Sequence, residues 1–162
     1  MMARAWVFGD DVDTDALAPG RFMHRPIEEL AAHCLIDLSP AFAADAAEGD
    51  VIIAGRNFGM GSSREQAAQA LKIRGIAGVV ARSFAGIFYR NAINLGLAVF
   101  TGDARAIPDR SEVSLDLKAA RLSHPGGTIV LDPIPEFLLG MIADGGLIPH
   151  LEKRFAAERK AR

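Results

Sequence analysis

Residues 51–75 read VIIAGRNFGMGSSREQAAQALKIRG. Val51 to Ala54 is an uninterrupted apolar run, the length and texture of a strand buried on both faces. The glycine-rich loop Gly55 to Gly61 follows, and an Ala/Leu pattern from about Ser63 to Arg74 predicts a helix closed by Gly75. A buried strand that passes through a loop into a helix is the unit from which parallel sheets are built. The unit recurs downstream: Ile76 to Ala81 reads as the next strand, Ala85 to Leu95 as a helix ending at Gly96, and Leu97 to Phe100 as a further strand.

Upstream, Arg4 to Phe8 reads as a strand stopped by Gly9, and the acidic run Asp10-Asp11-Val12-Asp13-Thr14-Asp15 as a loop, because it cannot pack. Pro19-Gly20 and Pro26 punctuate the stretch before short helices at Ile27 to Cys34 and Pro40 to Ala47. After Pro108 the texture changes. Glu112 to Leu117 alternates polar and apolar, Thr128 to Leu131 is another strand, and the turn His124-Pro125-Gly126-Gly127 lies between them, so this half looks antiparallel. Helices return at Glu136 to Ala143, begun by Pro135, and at Leu147 to Ala161 after the break Gly145-Gly146. The basic end, about residues 156–162, is expected to be solvated and frayed. No repeat or linker divides the chain, so a single domain over residues 1–162 is expected.

The 162 residues carry 18 Lys+Arg against 20 Asp+Glu, and half are hydrophobic, so the chain can bury a core and is not disordered. A net charge of −2 leaves no electrostatic footprint for nucleic acid, and 7% aromatic residues make no stacking platform. No run approaches the roughly 18 apolar residues of a membrane span, and the acidic turn after Phe8 leaves no signal-peptide core, so a cytoplasmic protein is expected. The single cysteine, Cys34, excludes an internal disulfide and an iron–sulfur cluster held by this chain alone, since clusters take about four thiolates. His24, His33, His124 and His150 lie far apart without metal-ligand spacing, and no metal site is assigned.

The stretch best placed for chemistry is Gly59-Met60-Gly61-Ser62-Ser63-Arg64-Glu65. Its glycines let backbone approach a ligand, and the helix N-terminus behind them favours an anion. Ser62-x-x-Glu65 equally forms a capping box, which needs no ligand. A phosphate-binding loop would need Gly-Lys-Ser/Thr, and a dinucleotide fingerprint would need glycine in place of Arg64. Arg64, directly after the expected cap, suits a carboxylate instead, because a guanidinium grips it in a planar bidentate pair. The acidic run begins like a calcium loop at Asp11, Asp13 and Asp15. It then carries Ala16 and Phe22 where such a loop needs Gly and Glu. Arg21, Arg25, Arg56 and Arg64 are the cations available to offset its charge.

Four segments, Gly9 to Asp15, Gly55 to Glu65, Ser83 to Asn91 and Gly146 to Pro149, together resemble the small subunits of 3-isopropylmalate dehydratase. The same unit is similar to the mobile fourth domain of aconitase and to the small subunit of homoaconitase, and the resemblance runs from about residue 3 to 155. It implies an α/β fold, the swivelling β/β/α domain with a mixed sheet and flanking helices found as the aconitase C-terminal domain. The activity it implies is isomerisation of a malate-type acid by dehydration and rehydration. 3-Isopropylmalate is the family default and leucine biosynthesis the setting. A homoaconitase or a methylmalate-type hydratase is the alternative, and a non-catalytic carboxylate-binding module the alternative of another class.

The resemblance further implies a heteromeric enzyme, inactive without a large subunit that carries a [4Fe–4S] cluster; this chain would hold no cofactor and would bind a small di- or tricarboxylate. Matched position by position, Ser62 is the serine base and Asp15 an aspartate near the leaving hydroxyl. Arg64 takes a substrate carboxylate, with Ser63 and Gly61 beside it. His24 and Arg25 lie in the loop that meets the variable end of the substrate. The sequence departs from the family at Met60, where cysteine is usual, and at Gln66, where histidine is usual.

Overall fold

Residues 2–162 are described by a computed structural model. Four strands run parallel: β1 (Ala3–Val7), β2 (Val51–Ala54), β3 (Gly78–Ala81) and β4 (Val99–Thr101). Three more, β5 (Glu112–Asp116), β6 (Arg121–His124) and β7 (Gly127–Val130), continue antiparallel from the other side of β1. The order across the one sheet is β4-β3-β2-β1-β5-β6-β7. Every residue of β2 and β3 is buried, as continuous apolar runs require, whereas β5 alternates toward solvent. β6 is not among the strands expected from the sequence. Only Leu122 of that strand is buried, so Arg121-Leu122-Ser123-His124 carries no apolar signature of its own and is a strand because β5 and β7 pair with it on both sides.

The helices are α1 (Thr14–Leu17), α2 (Ile27–Ala32), α3 (Pro40–Asp45), α4 (Glu65–Ile73), α5 (Gly86–Asn94), α6 (Glu136–Ala143) and α7 (Leu147–Lys160). Packing links α1 and α2 to α4, α4 to α5, and α5 to α6 and α7. The acidic run is not wholly a loop. Asp13 caps α1, its Oδ1 accepting from the Ala16 N–H at 2.7 Å, and this lets a short helix start inside the charged stretch. The basic end, expected to fray, is helical as far as Lys160, with its side chains mostly exposed.

Trp6 and Asp50 anchor the core below β1 and β2. The buried Asp50 carboxylate accepts from Trp6 Nε1 at 2.8 Å and from the N–H groups of Arg4 and Ala47, each at 2.9 Å. Three donors and the nearby Arg4 guanidinium make the buried charge tolerable. At Gly146 the backbone has φ +124°, and a side chain there would meet the Asn94 carbonyl at 2.6 Å. The segment Gly146 to Pro149 is therefore a junction seating the start of α7 against the end of α5.

Each parallel strand sends its outgoing connection to the same edge of the sheet: residues 8–13 after β1, 55–64 after β2, 82–85 after β3 and 102–103 after β4. The carboxyl ends of parallel strands are where such folds place ligands. Among the described residues no helix is long and apolar enough to cross a membrane.

Candidate active site

The acidic and glycine loops prolong the β1–β2 pairing beyond the strands. Gly55 N–H donates to Gly9 O at 3.0 Å, Asp11 N–H to Arg56 O at 2.8 Å, Gly59 N–H to Val12 O at 2.7 Å and Thr14 N–H to Met60 O at 2.8 Å. On its other side the glycine loop is tied to the segment after β3. Arg82 N–H donates to Gly55 O, Phe58 N–H to Ser83 O, and Ala85 N–H to Phe58 O, at 2.9–3.0 Å. Aromatic rings floor this layer, with Phe58 edge-on to Phe84 and Phe88 at centroid separations of 6.0 and 5.2 Å. Gly59, at φ +83°, lies so close to Phe88 that an added Cβ would stand 2.2 Å from its Cγ. Three of the four family-like segments thus become one layer, with the Ser83 to Asn91 segment acting as its support.

The two loops then meet in register. Asp13 is bridged to Met60, the Thr14 hydroxyl lies 3.4 Å from that of Ser62, and Asp15 Oδ1 accepts from Arg64 Nη1 at 3.0 Å. Consecutive residues of one segment address alternate residues of the other. Arg64 Nη1 also donates to Ala18 O at 2.9 Å, and the Gly20 N–H donates to Asp15 Oδ1 at 3.1 Å. The hydrogen bond from Arg64, reinforced by the one from Gly20, holds the Asp15 carboxyl below the usual carboxylate range, so it is ionised at neutral pH.

The capping box does not form. The N-cap of α4 is Arg64, without a side-chain hydrogen bond to the helix, and the helix begins at Glu65, two residues later than expected. Ser62 stands free of any capping duty, exposed beside Gly61 (φ +104°) and the exposed Ser63. Arg64 is itself the cap residue and does not follow one.

Of the four cations expected to offset the acidic run, Arg64 alone brings its guanidinium to it. Arg21 makes a two-pronged pair with Asp37 at 2.8 Å, and Arg25 pairs with Glu29 at 3.1 Å. Arg56 reaches Asp10 through its backbone N–H, at 2.7 Å, and the side chain facing Asp10 belongs to Arg105, 3.8 Å away. Arg105 follows β4, nearly a hundred residues from Asp10, and nothing in the sequence signals the pairing. His24 and Arg25 are exposed just beyond the 3-10 turn Gly20–Phe22. Phe22 stacks on His33 at 4.0 Å and fixes the turn next to Asp15.

Cys34 is fully buried, and loss of hydration pushes its thiol up to about 12, so it stays protonated at neutral pH. No group of His, Cys, Asp and Glu suited to a metal ion occurs among the described residues. The donor set therefore does not fit an iron–sulfur cluster.

The aconitase C-terminal domain family matches residues 35–101, which hold the glycine loop, α4 and α5. The chain is 46% identical to 3-isopropylmalate dehydratase small subunit 2 of Archaeoglobus fulgidus, over 94% of this chain and 95% of that one. It is also 46% identical to the methanogen homoaconitase small subunit of Methanothermobacter thermautotrophicus, over 93% and 89%. The crystal structure of 3-isopropylmalate dehydratase from Methanocaldococcus jannaschii superposes with a TM-score of 0.93 at 43% identity, covering 99% of this chain and 98% of that one.

Proposed function

Since this chain belongs to the family of 3-isopropylmalate dehydratase and homoaconitase small subunits, whose domain is that of the aconitase C-terminus, we propose that it forms one wall of a heteromeric hydro-lyase. The observation that carries this reading is the register of Asp13, Thr14 and Asp15 against Met60, Ser62 and Arg64, which sets an uncapped serine beside a held arginine. The substrate is a malate-type acid, with 3-isopropylmalate the first to assay and a tricarboxylate of the homoaconitase kind the second.

Dehydration needs a base at the carbon next to a carboxylate, and that carboxylate fixed in register with the base. Ser62 takes the proton. Its alkoxide is favoured by the positive end of α4 and by the Arg64 charge. Arg64 takes the carboxylate: both of its protein contacts use Nη1, which leaves the Nε/Nη2 edge for a bidentate grip. Gly61 and Ser63 line the same exposed turn. Asp15, already ionised, orients Arg64 and can accept a hydrogen bond from the leaving hydroxyl, but it does not protonate it. His24 and Arg25 face the distal end of the acid. An exposed (i, i+4) pair with Glu29 stabilises by only about 0.2–0.5 kcal/mol, too little to keep Arg25 from a substrate carboxylate. Because the donor set here cannot hold a [4Fe–4S] cluster, we assign that cluster, and the Lewis-acid half of the reaction, to the large subunit.

The test is reconstitution. Purified chain mixed with a co-expressed cluster-bearing large subunit should dehydrate a malate-type acid, while the chain alone should contain no iron and turn nothing over. Stoichiometric iron in the chain alone, or turnover without a partner, contradicts the reading.

A further inference from the structure

Thr14 is the one polar side chain of the acidic segment that is buried, with about 4% of the residue exposed. Its backbone N–H is committed to Met60 O, and its Oγ1 lies 3.4 Å from Ser62 Oγ. Gly61 closes over it, so that a Cβ at Gly61 would meet Thr14 Oγ1 at 3.1 Å. A buried hydroxyl needs a partner, and this one faces Ser62. The separation exceeds that of a full-strength O–H···O bond, as is common for catalytic contacts that tighten only when substrate is bound.

We propose that Thr14 is a positioning residue for Ser62, its buried hydroxyl fixing the rotamer of the serine and donating to the serine oxygen once that oxygen has lost its proton. The inference rests on the reading of Ser62 as the base. In the resting protein either hydroxyl can donate. An alkoxide can only accept, so deprotonation fixes the direction from Thr14 to Ser62. Asp13 and Asp15 flank Thr14 yet direct their carboxylates elsewhere, to Ala16 N–H and to Arg64, so neither competes for the serine.

The experiment uses the reconstituted two-subunit enzyme with four variants of this chain. Thr14→Val keeps the methyl group and removes the hydroxyl, Thr14→Ser does the reverse, Thr14→Ala removes both, and Ser62→Ala is run in parallel. Thr14→Val and Thr14→Ala should lower kcat about 10–100-fold with KM little changed, the usual cost of losing a group that orients another. Thr14→Ser should stay within about threefold of wild type, with the thermal midpoint of each variant recorded. If Thr14→Val does not fold, the Ser and Ala variants, which differ only in the hydroxyl, carry the comparison. Equal kcat for the Ser and Ala variants, or losses that follow thermal stability instead of the hydroxyl, overturns the proposal. Retained turnover in Ser62→Ala overturns the serine reading itself. A dead Ser62→Ala beside fully active Thr14 variants overturns the positioning role alone.

Discussion

At the scale of single residues, the site depends on how Arg64 is held. The sequence offers Arg64 as a candidate carboxylate ligand, but the partner that orients it lies 49 positions away, and no local pattern reveals it. The same holds for Thr14, which reads as an ordinary residue of an acidic turn until folding sets it under Gly61. Met60 was a departure from the family, yet its ties to the acidic loop, the bridge to Asp13 and the bond from Thr14 N–H, are backbone contacts that any side chain leaves intact. Asp15 yields a measurable consequence. Its carboxyl titrates low because of Arg64, so the stabilisation of the pair is present above the unfolded pKa and lost as pH falls through the folded one. Both groups meet solvent, so this shows in the titration of Asp15 far more than in global stability. In Arg64→Ala the Asp15 carboxyl, followed by NMR, should titrate at a higher pH than in wild type. An unchanged titration would mean that the pair does not exist in solution.

Elements with strong patterns were the readable ones. β2 and α6 fall where the apolar run and the proline start put them, because burial on both faces and a fixed entry angle leave few alternatives. β6 and α1 were not readable, since one depends on neighbours at both edges and the other on a single cap. Ser62-x-x-Glu65 misled for a related reason. The loop is held from both sides by the segments after β1 and β3, and this delays the helix past the residue that local preference would choose. The glycine loop depends in turn on its contact with α5. Gly59→Ala would force a side chain into a left-handed conformation and against Phe88, so it should destabilise the chain by about 2–4 kcal/mol. Removing the Phe88 ring relieves only part of the contact, since Phe88 Cβ would itself stand 2.4 Å from the added Cβ, so Gly59→Ala/Phe88→Ala, measured by urea unfolding, should cost less than the sum of the two single substitutions. Strict additivity of the two substitutions would place the strain elsewhere.

For the molecule as a whole, a parallel half delivers four connections to one edge, and an antiparallel half extends the sheet away from it. The class of fold was therefore open to reading from alternating strands and helices, whereas the crossing of loops that makes the site was visible only through resemblance. Substrate choice is proposed to belong to this scale, because His24 and Arg25 lie on an exposed turn, open to a second subunit and its substrate under the proposed function. Arg25→Leu should raise kcat/KM for 3-isopropylmalate relative to a tricarboxylate, by roughly tenfold for each 1.4 kcal/mol of differential contact. An unchanged ratio would remove Arg25 from the choice of substrate.

The most direct test of the central claim, that this wall supplies the base, is kcat of the reconstituted enzyme carrying Ser62→Ala. Because Ser62 caps nothing, its removal should cost stability only through the Thr14 hydroxyl it leaves unpaired, about 1–3 kcal/mol, while kcat falls by about 10²–10⁴-fold, the range expected for loss of a positioned base. Turnover within about tenfold of wild type, in a complex that assembles normally, would contradict the account.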